Sequence, residues 1–195
     1  REKVDSLDDL KGKRINAGAP GSPQHFMVKT VMKVKNWSEE DFSLIEELSP
    51  SHSQDTMAFC HGAIQAMVHI GVHPDASLAK VLDLCQAQLV GIYDADIERL
   101  IADQAAFFES VVEGGTYEAQ PDVIRTLGTR VMLVAPEALD AETVYDIMAA
   151  IQAGRDRLRQ AHPALILPPL TAAEQAGGAF QPHPGAARFF ANPAQ

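Results

Sequence analysis

Seven histidines, two cysteines and one glycine-rich turn are the residues of this 195-residue chain whose types invite chemistry. His69 and His73 flank a glycine turn instead of sharing a helical face, so their spacing is not that of a metalloprotease zinc site. His61, His162 and His183 stand alone, the last two each before a proline, and read as structural or solvated side chains. His25 and His73 differ because each lies beside a turn suited to binding. Cys60 and Cys85 fit neither a zinc knuckle nor a redox CxxC motif. The expectation is two buried thiols, although one disulfide is chemically allowed in an oxidising compartment.

Lys11 to Gln24, KGKRINAGAPGSPQ, combines a basic strand entry, a short apolar run, a Gly/Pro turn and a helix-opening serine. Gly18 and Gly21 let the backbone approach a ligand, Pro20 stiffens the turn, and a helix starting near Ser22 leaves N–H groups without intrahelical partners. Such a terminus attracts carboxylate or phosphate. A plain serine N-cap explains the same residues without any ligand. The stretch lacks the GxSxG elbow, the GxxxxGK[ST] phosphate loop and the GxGxxG fingerprint, which argues against a hydrolase and against a nucleotide site. Tyr117, after Gly114 and Gly115, either presents a phenol to a ligand or anchors a surface.

These residues need a scaffold, and 46% hydrophobic composition is enough for a core. A formal net charge of -10 argues against nucleic-acid or anionic-membrane partners. No apolar run approaches the ~18 residues of a transmembrane helix, so no stable membrane insertion is expected. The chain begins at Arg1 with neither Met nor a signal-peptide pattern, as a processed product or a fragment would.

Periodicity predicts a short helical turn through Leu10, a strand at 14–17 and a helix from Ser22 carrying Met27, Val31 and Val34 on one stripe with Val28 and Met32 beside it. Further expectations are a strand at 42–48, a helix from Ser51 stopping before Gly62, a strand at 64–70 and a helix at 75–84. A strand at 88–93, a helix at 94–104 and a less regular segment at 107–117 follow. The stretch 126–135 is the strongest β candidate. One long helix starts at Asp140 or Thr143 and ends near Ala161 before Pro163, Pro168 and Pro169, and a short helix follows Pro184 after the Ala/Gly/Pro-rich tail from Ala172. Strand and helix alternation favours an α/β fold with a mainly parallel sheet, whose ligands sit at the carboxyl ends of the strands. The loops before Ser22 and after Ile70 lie there.

LDDLKGKRINAGAPGS at 7–22, GAIQAMVHIGVHPDAS at 62–77, VVEGGTY at 111–117, and HP at 162 with HPGAARFF at 183 resemble, in that order, the TAXI-type solute receptors of TRAP transporters. The resemblance implies a type II periplasmic-binding-protein fold that takes a small organic anion, commonly glutamate or a related dicarboxylate, and delivers it to TRAP membrane permease subunits. It implies a periplasmic (extracytoplasmic) location, no catalysis, no metal and no cofactor. Carried over by position, the loop formed by Gly18, Pro20, Gly21, Ser22, Pro23 and Gln24, with His25 beside it, faces the cleft and supplies ligand donors, Gly71, Val72 and His73 lie opposite or beside it, and Tyr117 sits near the hinge. Alternatives on the same α/β fold are a ligand-sensing effector domain and an enzyme.

Three departures accompany the resemblance. Pro23 stands where a second small residue is usual and removes one N–H donor. Gln65 stands where aspartate is usual. The chain starts at the LKGK segment, whereas relatives of this type begin with most of the first lobe. Residues 1–130 therefore correspond to the second ligand-binding lobe, and 131–195 to a return segment of the first lobe, whose N-terminal part is absent.

Overall fold

The computed structural model describes residues 4–48, 53–162, 165 and 181–191. The chain divides into two units, Arg1–Gly128 and Thr129–Gln195.

In the first unit, β1 (Arg14–Asn16) is flanked by β2 (Leu44–Glu46) on one side and β3 (Ala66–Met67) on the other, both parallel to it. The register sets Ile15 opposite Ile45 and Ala66, and Asn16 opposite Glu46 and Met67. All three strands therefore end at the same edge of the sheet. The α/β expectation with a parallel sheet holds, on shorter strands than the sequence pattern suggests. A second, two-stranded sheet joins β4 (Phe107–Val112) to β5 (Ile124–Thr129).

α1 (Pro23–Val34) connects β1 to β2 and is the central packing element. Met27 and Val31 enter one apolar cluster with Leu7, Ile97, Leu100 and Phe107. Val28 and Met32, one residue further round the helix, enter another with Ile15, Ala17 and Phe42. A stripe at i, i+4 and its neighbour thus serve both sides of a single helix. α1 ends in a Schellman motif with Asn36 at φ +54° and the Trp37 N–H bonded to the Met32 carbonyl.

At its C-cap, Lys35 bridges three carboxylates: Asp94 at 2.8 Å, Asp8 at 2.9 Å and Asp96 at 3.2 Å. Its side chain is 8% exposed. Burial pushes the ammonium pKa down, and the three carboxylates more than reverse that and hold it above the ordinary lysine range.

α2 (Ser53–Cys60) closes with its own Schellman motif around Gly62, at φ +74°. α3 (Ala76–Leu84) and α4 (Ala95–Asp103) are N-capped by Asp75 and Asp94, each accepting two backbone N–H bonds. The expected free thiols are corrected, since Cys60 at the end of α2 and Cys85 at the C-cap of α3 form a disulfide.

The expected strand at 88–93 is absent because side chains, not a ladder, bind its backbone surroundings. The Leu89 N–H bonds to Gln120 Oε1, and Gln88 Nε2 reaches the Val4 carbonyl. The segment expected to be irregular instead opens with β4, which stops at Val112 before the Gly114–Gly115 turn. β5 begins earlier than the β-rich stretch, with Arg125 held 2.5 Å from Glu109 of β4 and stacked on Tyr93. Val131 and Leu133 are exposed and carry no strand, since β-propensity without a neighbouring ladder does not form one.

In the second unit the single long helix is divided at Gly154 into α5 (Ala141–Ala153) and α6 (Arg155–Ala161). Asp140 is the N-cap, accepting from the Thr143 N–H. α7 (Pro184–Ala191) packs on α5: Phe189 is fully buried against Tyr145, and Arg188 pairs with Glu142 at 2.8 Å. The expected helix start at Ser51, the stop at Pro163, Pro168 and Pro169, and the tail from Ala172 to Phe180 lie outside the described residues. Among the described residues no helix is long and apolar enough to cross a membrane.

Candidate functional site

The loop after β1 is built around a buried asparagine. Asn16, 3% exposed, accepts the N–H groups of Gly18 (2.9 Å) and Leu48 (3.2 Å) on its Oδ1. Two N–H groups converging on one end of the amide require that end to be the oxygen. The Asn16 Nδ2 group therefore points the other way, where it has no hydrogen-bond partner among the described residues.

Gly18 (φ +80°) and Gly21 (φ +82°) both adopt the left-handed backbone expected of this turn. Gly18 also meets the start of α1, where an added Cβ would sit 2.7 Å from Gln24 Cβ and 2.9 Å from Ser22 Oγ.

Ser22 is the N-cap of α1, its hydroxyl accepting the His25 N–H at 3.1 Å, and Pro23 occupies the first helical position. The Phe26 N–H already bonds to the Ser22 carbonyl. With Pro23 lacking a donor and His25 capped, the first turn keeps one backbone N–H for a ligand, that of Gln24. His25 faces back into the loop: Nδ1 lies 3.3 Å from the Gly18 carbonyl, which makes it the donor, and 3.7 Å from Glu47. Pro20 and Gly21 lie on the surface beyond the turn.

The second predicted turn follows β3 at the same edge of the sheet. Gly71 and Val72 are exposed, Val72 by 50%. His73 is partly buried, and its Nδ1 lies 2.6 Å from the Tyr117 hydroxyl, which also accepts the Asp75 N–H at 2.9 Å. The Tyr117 oxygen has two lone pairs, so the direction of its bond with His73 Nδ1 depends on the imidazole tautomer. Burial, then the neighbouring His69, pushes the His73 pKa below the ordinary imidazole value. Tyr117 is 4% exposed and acts through His73 and Asp75, positioning the turn. Asp75, with its carboxyl held low chiefly by the Leu78 N–H, lies 3.6 Å from His69.

A cavity of about 960 Å³ in the first unit has Asn16, Gln24, His69, His73 and Ser77 in its wall, along with Met27, Val28, Val31 and Leu82. Of the predicted ligand residues, Gln24 and His73 line this cavity. Gly18, Ser22, Pro23 and His25 build the loop behind Gln24. Tyr117 stands behind His73, and Pro20, Gly21, Gly71 and Val72 do not line the cavity. Among the described residues no group of three or more His, Cys, Asp or Glu side chains is arranged to hold a metal.

Sequence reading overlooked Asn16. Its only local signal is a polar residue between Ile15 and Ala17 at the end of an otherwise apolar strand. Gln65, the departure in the second motif, is structural: Oε1 accepts the Arg14 N–H and Nε2 donates to the Gly62 carbonyl at 2.9 Å. A carboxylate at 65 would lack the second of these bonds.

The NMT1-like family model matches residues 1–192, and the chain belongs to that family, which is periplasmic-binding-protein-like and associated with solute binding.

Proposed function

We propose that this NMT1-like chain is an extracytoplasmic solute receptor that binds a small organic anion for uptake through a TRAP-type permease. The observation that carries the reading is that the Asn16–Gln24 loop and the His73 turn, both following strands that end at the same sheet edge, line one cavity, and that edge is where α/β folds take ligands. The polar groups it draws on are the Asn16 amide, Gln24 and the His73 imidazole, all lining that cavity. A receptor needs such groups to replace the hydration of an anion. The Cys60–Cys85 disulfide supports an oxidising, extracytoplasmic setting. The motif resemblance puts glutamate and related dicarboxylates first among the anions, and it alone names the permease.

Isothermal titration with glutamate, 2-oxoglutarate, C4 dicarboxylates and monocarboxylates tests the reading. Saturable one-to-one binding of at least one compound, with no turnover of it, is expected. Silence across all of them would remove the anion-receptor reading. Loss of uptake of the bound compound on deleting a neighbouring permease would support the transport partner, and unchanged uptake would remove it.

A further inference from the structure

Among the described residues, the wall of the first unit's cavity holds no lysine, arginine, aspartate or glutamate. Its polar members are amides, hydroxyls and imidazoles, and aliphatic, methionine and aromatic side chains make up most of the rest. At about 960 Å³ the space is far larger than a packing defect and lies in the range of small-molecule sites. A dianion placed there must shed the hydration of two charges with no fixed cation among the wall's described residues to replace it. A single carboxylate on an apolar body suits the same wall.

Asn16 supplies the anchor. It is buried, its Oδ1 is occupied by two backbone N–H groups, and its Nδ2 donors have no partner among the described residues. Asn16 Nδ2 is not a buried side-chain atom left without a partner, so it reaches accessible space and is free to donate to a ligand. The Gln24 side chain stands on the adjoining helix start and lines the same cavity.

We propose that the cavity selects a monocarboxylate carrying an apolar body, its acid group held by Asn16 Nδ2 with Gln24 beside it and its body lying against Met27, Val28 and Val31. The assignment rests on the solute-binding reading and narrows the ligand class within it. The His73 imidazole is a further polar group lining the cavity, available to a polar substituent of the body.

Isothermal titration of the protein with butanoate, hexanoate, octanoate and decanoate, set against succinate, glutamate and octanol, tests the assignment. Affinity is expected to rise about four-fold for each added methylene until the cavity is filled. Octanoate is expected to bind well above octanol, succinate and glutamate. Asn16→Asp keeps an oxygen for the Gly18 and Leu48 N–H groups and removes the donors, and it should weaken octanoate roughly ten- to hundred-fold. If that variant fails to fold, Gln24→Leu, which leaves the β1 loop intact, should still weaken octanoate and spare octanol.

Binding of succinate or glutamate with no alkanoate binding would overturn this inference and leave the receptor reading standing. Equal binding of octanol and octanoate would overturn the acid anchor. Failure of every compound, including the dicarboxylates, would overturn the receptor reading itself.

Discussion

Replacing Gly18 by alanine probes the loop that joins the sheet to the candidate site, and Gly21→Ala is its internal control. Both glycines have φ near +80°, where an L side chain costs about 1–2 kcal/mol. Both substitutions also reduce the unfolded chain's freedom equally, so that contribution cancels in the comparison. They differ in surroundings. A Cβ at Gly21 meets nothing within 4 Å, whereas one at Gly18 sits 2.9 Å from Ser22 Oγ and 2.7 Å from Gln24 Cβ. Alanine at 18 therefore forces the Ser22 hydroxyl off the His25 N–H, and losing such a cap costs about 1 kcal/mol, with a range of roughly 0.5–2. Gly18→Ala should then destabilise the first unit by about 2–4 kcal/mol and Gly21→Ala by about 1–2, a gap of about 1–2 kcal/mol. Urea unfolding followed by the single tryptophan, Trp37, reads this directly, because that ring packs edge-on to Phe42 at 5.8 Å in the same unit. Equal losses for the two variants would refute the packing of the β1 loop against the start of α1.

Lys35→Met leaves Asp8, Asp94 and Asp96 facing an apolar stem. Because Asp8 is well exposed and the other two are about a third exposed, they regain water in part, and a loss of about 2–3 kcal/mol in urea unfolding is expected, below the usual cost of breaking a fully buried pair. Reducing the Cys60–Cys85 bond, or Cys60→Ser with Cys85→Ser, opens a loop of sequence separation 25 and should cost about 3.5 kcal/mol by chain entropy, read as a lower urea midpoint. His73 has its folded pKa below the unfolded imidazole value of 6.5, so the unfolded chain binds more protons in the window beneath 6.5. Its contribution is complete above that value and is lost as pH falls below it, and His73→Gln should flatten the pH dependence of stability between about pH 5 and 7 relative to the unchanged protein.

Local rules made much of the scaffold readable. Ser22 before Pro23, and Asp75 and Asp94 before apolar periods, mark helix starts because capping needs nothing beyond neighbouring residues. The two stripes of α1 follow from the helical period alone. Features that depend on distant partners were harder to read. Gln88 to Tyr93 has strand composition, yet its surroundings are tied by Gln120 and the chain near Val4, contacts that no local pattern announces. Cys60 meets Cys85 because two Schellman turns redirect the chain after α2 and α3. Pro23 lacks a donor and Ser22 caps His25, so the helix start keeps a single free N–H and side chains carry more of the site than the glycine-rich turn suggests. Asn16 was hidden by lying inside a strand, where its role follows from Leu48 arriving from β2.

The most direct measurement is the response of the Asn16 side-chain amide in a ¹⁵N-labelled sample titrated with glutamate, succinate and octanoate, with the resonance pair assigned by its loss in Asn16→Asp. The account predicts a saturable one-to-one shift of that pair with the bound acid, largest for octanoate. Binding heat from an organic acid without movement of the Asn16 pair would contradict it.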